Sequence, residues 1–344
     1  TVRINRVETT TNGDEVTYHW SHSHPITTYL VAIAITNYVE YTDIVEIPSS
    51  DDITVLNYVY PESLENAQAN TPAIAEMIQL FSDKFGLYPF ADEKYGHAQF
   101  PWGGGMEHTT ISFMGNFSRG LIAHEMAHQW WAHQVTGANM QGCTLMSEGF
   151  SQYASRMTSK SITENPMKMR QLLKYDHDSY LRGRSGEREK ELPLYKVENQ
   201  DYIHYGKGSL VLYALQDYIG EHKVNLAMKN FLDEYRYKKP PYPTSLDFLR
   251  HLEPQVPDSL NYLITDWFKE ITLYDNRLKE ANYKKLANGK YEITFEIESA
   301  KKISPIKLAK SAKQTINLAM PFRLKKLKSI SNPTGKALAI NCPL

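Results

Sequence analysis

Three features of the 344-residue sequence predict an α+β fold. Short apolar runs bounded by turn residues fill the first sixty residues, apolar positions recur every three or four residues from about 71 to 268, and period-two alternation returns after Asn276. The expected arrangement is a mostly helical domain over 49–276 with a small mixed sheet, flanked by β segments at 1–48 and 277–344.

Val16 to Trp20, Tyr29 to Ile35 and Asp43 to Ile47 read as antiparallel strands, with Asn12-Gly13 as a turn, and Ile53 to Tyr60 as a further strand. Thr71-Pro72 opens a helix, the proline sitting where a missing N–H is no loss, and Gly86 closes it after Phe85. Tyr95 to Phe100 reads as a strand, and Gly103-Gly104-Gly105 opens the next, through Phe113; successive glycines let another segment approach the backbone closely. Helical periodicity marks Pro166 to Leu181, His204 to Ile219, Val224 to Tyr235, Ser245 to Leu252 and Ser259 to Phe268. Arg182 to Glu191 reads as a solvated charged loop. Tyr291 to Ile297 alternates as a strand, and the basic last forty residues carry a turn at Asn332 to Gly335.

The chemistry centres on His124 to His128, the run HEMAH. Two His four residues apart share a helix face and can reach one ion, while Glu125 lies one step round from the first. Leu121, Ile122, Met126, Ala127 and Trp130 can bury the helix, and Ser118 is a plausible N-cap. Zinc in hydrolases takes three protein ligands and leaves a fourth position to water. The arrangement H-E-x-x-H-x-x-G-x-x-H is excluded, because Trp131 and Gln134 occupy its glycine and third histidine positions. His133, five residues past His128, lies about 140° round the helix and points elsewhere. The third ligand is therefore sought on a second helix. The stretch from Leu145 to Met157 carries Glu148 with a polar stripe of Ser151, Gln152 and Ser155, and Glu148 is the expected third ligand.

HEMAHQWW followed by SEGF, with GGMEH at 104–108 upstream and YGKG at 205–208 downstream, resembles the aminopeptidase N family of zinc gluzincins over roughly residues 40–275. The resemblance implies a thermolysin-like catalytic domain, preceded at 1–48 by the last part of a β domain. It also implies one Zn²⁺ per chain on His124, His128 and Glu148, and Glu125 as general base. Tyr205 then matches the family's oxyanion donor, with Tyr202 as a competitor that lacks the following K-G. Glu107 matches the carboxylate that holds a substrate's free α-amine, with Gly104, Gly105 and Met106 forming a sheet edge for the peptide. Three departures stand out: His108 replaces the usual Asn, Ala132-His133 replaces a Gly-Asn or Gly-Asp pair, and 19 residues separate His128 from Glu148, one more than is common. The extra residue falls in the Thr136 to Thr144 loop, where insertion costs little.

WWAHQVTGANMQG, YLRGR, ELPLY and PPYPTSLD are similar to a bacterial subgroup in which the peptidase domain is joined to a transporter-type permease. That likeness implies a membrane-embedded or further β region elsewhere in a longer protein, and a place at the bacterial cell envelope or outside the cell rather than in the cytoplasm. The start at Thr1, directly in strand-like sequence, agrees with a piece of a longer chain. Lys+Arg 38 against Asp+Glu 39 gives a net charge of −1 and no electrostatic case for nucleic acid. The longest apolar run, Tyr29 to Ile35, is too short to cross a bilayer. Cys143 and Cys342 make no disulfide framework, and Cys143 reads as a small buried residue. The expected activity is release of N-terminal residues from peptides. A thermolysin-type endopeptidase, or a non-catalytic peptide-binding module attached to a transporter, are the alternatives.

Overall fold

The structure is a computed structural model that describes residues 5–47, 51–135, 142–162, 166–187, 190–289, 291–303, 307–308 and 312–320. The expected turn at Asn332 to Gly335, Cys342, and residues 136–141 of the inter-helix loop lie outside the described residues. The chain divides into two compact units, 1–264 and 265–344.

In the first unit, β1 (Asn5–Asn12) and β2 (Glu15–Ser21) form a two-stranded antiparallel ribbon turned at Gly13, whose φ is +62°. A five-stranded mixed sheet follows, in the order β3 (Val39–Val45), β4 (Ile53–Val59), β5 (Tyr95–Gln99), β7 (Ser112–Met114), β6 (Gly105–Met106). β3 runs antiparallel to β4, β5 and β7 follow β4 in parallel, and β6 returns antiparallel at the edge. β5, the central strand, is buried at every position, as a strand covered on both faces must be.

The helices supply the rest of the unit: α1 (Leu64–Asn70), α2 (Ile74–Phe85), α3 (Arg119–Ala127), α4 (Phe150–Ile162), α5 (Pro166–Gly186), α6 (Gly208–Ile219), α7 (Glu221–Tyr235) and α8 (Ser245–Leu252). α2 buries Ile74, Met77, Ile78, Phe81 and Phe85, the i, i+3, i+4 pattern that predicted it, and stops at Gly86 with φ +108°. α8 begins with a reciprocal cap in which Thr244 and Asp247 satisfy each other's backbone N–H groups. α3 packs on α4, and Ser155 Oγ of α4 donates to Gly120 O of α3 at 3.1 Å.

Three local expectations change. Tyr29 to Ile35 forms no strand: Thr28–Leu30 is a 3₁₀ turn and Val31, Ile33 and Ile35 are exposed, because apolar β propensity supplies no partner by itself. The single strand expected from Gly103 through Phe113 is two, β6 and β7, folded back through a turn in which Thr110 takes φ +62°. The loop expected from Arg182 begins later, since α5 runs to Gly186, and Glu191 is buried rather than solvated. Glu191 accepts from Tyr180 Oη at 2.8 Å and pairs with Arg184 and Lys207.

In the second unit, β8 (Thr272–Lys285) and β9 (Tyr291–Ile303) pair antiparallel through a turn at Gly289, φ +78°. β9 also pairs with β10 (Lys307–Leu308) and β11 (Ala312–Met320).

Candidate metal centre

α3 is buried through Ile122, Ala123, Met126 and Ala127, and His124 and Glu125 lie on it with little exposure. Ser118 stands at the N-cap position with extended backbone, and its carbonyl accepts Ile122 N–H at 3.0 Å, although its hydroxyl makes no cap bond. His128 ends the helix, and a widened π turn, Gln129–Gln134, follows with Trp131 out of helical geometry at φ −104°, ψ 41°. Trp130 packs edge-on against Phe81 and Tyr88 and donates its indole N–H to Gly86 O at 2.8 Å; Trp131 packs against Phe85 and Phe150. The two tryptophans thus hold the end of the metal helix in the aromatic core.

Glu148 lies on a second π turn, Leu145–Gly149, directly before α4. Its Oε2 is 3.2 Å from His124 Nε2 and 3.3 Å from His128 Nε2, and the two Nε2 atoms are 3.2 Å apart. Tetrahedral zinc with bonds of roughly 2.0–2.1 Å spaces neighbouring ligands by about 3.3 Å. Two imidazole nitrogens and a carboxylate at that spacing repel unless a cation or proton lies among them, so the donor set fits the metal. Among the described residues these three form the one His/Cys/Asp/Glu group placed to share an ion. Burial alone would lower the His128 imidazole, but the Glu148 charge overrides it and pushes it up to about 9. Despite its own burial, Glu148 is held well below the usual carboxylate range by the His128 and His124 rings.

Glu125 turns from the same helix toward β6. A Cβ at position 105 would collide with its carboxylate, so Gly105 is the residue that lets Glu125 lie against the backbone of the edge strand. Burial raises the Glu125 carboxyl above its ordinary range, against the opposing pull of His124 and His128. A third π turn, Tyr202–Lys207, presents Tyr205. Its ring is 5.7 Å from His124 and its hydroxyl hydrogen-bonds Glu148; burial, then the Glu148 charge, pushes the phenol above its usual range. Tyr202 packs instead against Gly183 of α5, and its buried hydroxyl has no hydrogen-bond partner among the described residues. Each of these site-bearing segments contains a π turn, a local widening that re-aims side chains and recurs at functional sites.

β6 is the sheet edge, and Gly104 reaches it at φ +101°, a conformation L side chains avoid. Glu107 follows the strand, and its Oε1 accepts the Tyr29 hydroxyl at 3.0 Å. His108 is engaged away from the three ligands: its Nδ1 donates to Leu30 O at 2.8 Å and its ring lies tilted against Phe113, centroids 4.3 Å apart. Two residues to which the sequence reading gave no part in the site hold this loop. His133 Nε2 donates to Glu107 O while Nδ1 accepts from Thr109 Oγ1 at 3.2 Å, and Gln129 accepts Thr110 N–H at 2.9 Å and donates to His108 O at 3.4 Å. Burial pushes the His133 imidazole down to about 3, so it stays neutral, one nitrogen a donor and the other an acceptor. Their place just past the second metal histidine was the available signal; the partners were not readable. Beside Tyr205 lies a cavity of about 510 Å³ whose walls include Gln152, Tyr175, Arg182, Asp201 and Tyr202.

A donor triad split between one H-E-x-x-H helix and a distant glutamate, next to an open sheet edge, defines the gluzincin class of metal-site folds. Comparison with known proteins narrows that class. Residues 114–267 match the peptidase family M1 domain. The chain is 24% identical over 291 residues to aminopeptidase M1 of Arabidopsis thaliana, covering 77% of this chain and 32% of that protein. It is 22% identical to probable aminopeptidase 1 of Saccharolobus solfataricus, covering 96% and 45% respectively. It therefore spans less than half the length of these relatives. An M1 zinc metallopeptidase of Deinococcus radiodurans superposes with a TM-score of 0.62 at 21% identity, over 76% of this chain and 59% of that one. Legionella pneumophila aminopeptidase A, in complex with aspartic acid, gives 0.60 at 14% identity, over 92% and 39%. The structural likenesses show the fold, and over residues 114–267 the chain is similar to peptidase family M1.

Proposed function

We propose that the protein is a zinc-dependent aminopeptidase that hydrolyses N-terminal residues from peptides. The observation that carries the reading is the meeting of His124, His128 and Glu148 within 3.3 Å of one another, with Glu125 laid against the glycine of the edge strand. His124, His128 and Glu148 would hold one zinc ion, which when bound supplies Lewis-acid chemistry and a water acidic enough to act near neutral pH. Glu125 takes the proton of the attacking water and hands it to the leaving amine, a shuttle suited to a buried carboxyl with a raised pKa. Tyr205 donates its hydroxyl to the oxyanion that develops at the scissile carbonyl. The backbone of Gly104, Gly105 and Met106 pairs with the extended substrate, and Glu107 binds its α-ammonium through a charge-assisted hydrogen bond.

The aminopeptidase names of the relatives support this reading over an endopeptidase, as does a glutamate standing at the end of the edge strand, where a substrate's first residue would stop. A peptide-binding module without catalysis would have no use for Glu125. We further propose a place at the bacterial cell envelope, joined to a membrane-embedded region, on the subgroup likeness of the sequence. The functional test is the rate on a panel of unblocked amino-acid amides and their N-acetylated forms, with and without chelator. Cleavage of free-amine substrates that chelator stops and zinc restores is expected; equal rates on blocked and free substrates would remove the exopeptidase assignment.

A further inference from the structure

The Glu107-His108 and Tyr29-Leu30 dipeptides hold each other. His108 Nδ1 donates to Leu30 O at 2.8 Å, and Tyr29 Oη donates to Glu107 Oε1 at 3.0 Å. Leu30 is buried and anchors the turn, whereas Tyr29 is 61% exposed. Its ring therefore adds little to the core, and its placement needs another reason. The hydroxyl ends on the very carboxylate assigned to the substrate's amine. An ammonium has three diverging N–H donors, which one planar carboxylate cannot all meet, and Tyr29 already takes one of the roughly four acceptor sites on Glu107. A phenol that donates to Glu107 still has lone pairs on the same oxygen, and these can accept a second ammonium N–H.

We propose that Tyr29 is a specificity residue for the free α-amine of the substrate, acting together with Glu107 and held in place through the His108 contact to Leu30. The proposal rests on Glu107 being the amine site. It assigns work to a segment that runs outside the sheet, and it gives His108, which stands where the family's motif usually carries Asn, a defined role: setting the turn that presents Tyr29. Because the turn is anchored by Leu30 and its carbonyl, Tyr29→Phe removes one hydroxyl and leaves the backbone supports in place.

The test is calorimetric binding of L-leucinamide and N-acetyl-L-leucinamide to zinc-loaded protein carrying Glu125→Gln, which holds the amide without turning it over, alone and combined with Tyr29→Phe or Glu107→Ala, with KM and kcat on L-leucine p-nitroanilide measured in the same variants with Glu125 intact. Tyr29→Phe should weaken L-leucinamide about tenfold, the scale of one hydrogen bond to a charged group, leave the acetylated amide unchanged, and raise KM with kcat within about twofold. His108→Ala should reproduce the same selective loss. If Tyr29→Phe binds both amides as the parent does while Glu107→Ala loses L-leucinamide, the Tyr29 proposal alone is overturned. If Glu107→Ala also binds L-leucinamide normally, the amine-site reading falls and takes the proposal with it. A drop in kcat with unchanged KM would also overturn the proposal, because the hydroxyl would then act on the chemistry rather than on the amine.

Discussion

The proposed metal end and the proposed amine end of the site are built by different means. His124, His128 and Glu148 stand on two packed helical segments whose neighbours, Trp130, Trp131 and Phe150, are buried in the aromatic core. Glu107 stands after a two-residue edge strand and is positioned by side chains from elsewhere in the chain: His133 on its carbonyl and Tyr29 on its carboxylate. Helix geometry and close packing fix the first; hydrogen bonds across long sequence separations fix the second. The metal end should therefore respond to substitution as a unit, and the amine end in graded steps.

The largest break in this comparison is Glu148→Ala. It should weaken zinc by well over the roughly 100-fold typical of losing a mere outer-shell partner, and abolish turnover, checked by metal analysis after dialysis. Retention of full zinc would shift the ligand to another residue. Next is Tyr205→Phe, expected to lower kcat by about 10² to 10³ with little change in KM or zinc content, since the proposed transition-state donor is removed and a ring of the same shape remains. A variant in which KM alone rises would place the hydroxyl on substrate binding.

His133→Ala acts at the amine end. Leaving the Glu107 carbonyl unpaired should loosen the carboxylate and raise KM for unblocked substrates about tenfold, with zinc content unchanged. A loss of zinc in this variant would show that the two ends are not separable.

A separate effect is on stability. Burial pushes His97 and His133 down to about 3. The folded values lie below the unfolded one, so protonation favours the unfolded chain. The stability is complete above about pH 6.5 and is lost as pH falls toward 3, by about 1.4 kcal/mol per pH unit for each ring. Melting curves between pH 7 and 4 should fall less steeply for His133→Ala than for the parent, and parallel curves would show that His133 is protonated in the fold.

The same division explains what could be read from sequence. The His124–His128 spacing and the S-E-G-F stretch were legible because helical periodicity puts ligands on faces, and the apolar residues of α2 and α3 mark which face is buried. Boundaries of the site-bearing helices were less so, because the π turns at Gln129–Gln134, Leu145–Gly149 and Tyr202–Lys207 shift side chains without changing composition. Hydrogen bonds from side chains to distant backbone, such as Gln129 to Thr110 and His108 to Leu30, leave no periodic trace at all. Glu191 was misread for the same reason: Tyr180, Arg184 and Lys207 neutralise its burial, and no single stretch shows them together.

The most direct measurement is Glu125→Gln followed by zinc stoichiometry and turnover on L-leucine p-nitroanilide in the same preparation. One zinc per chain with turnover reduced by about 10² to 10⁴ is predicted, because the proposed mechanism gives Glu125 the protons and not the ion. Parent-level turnover in that variant, or loss of its zinc, would contradict the assignment.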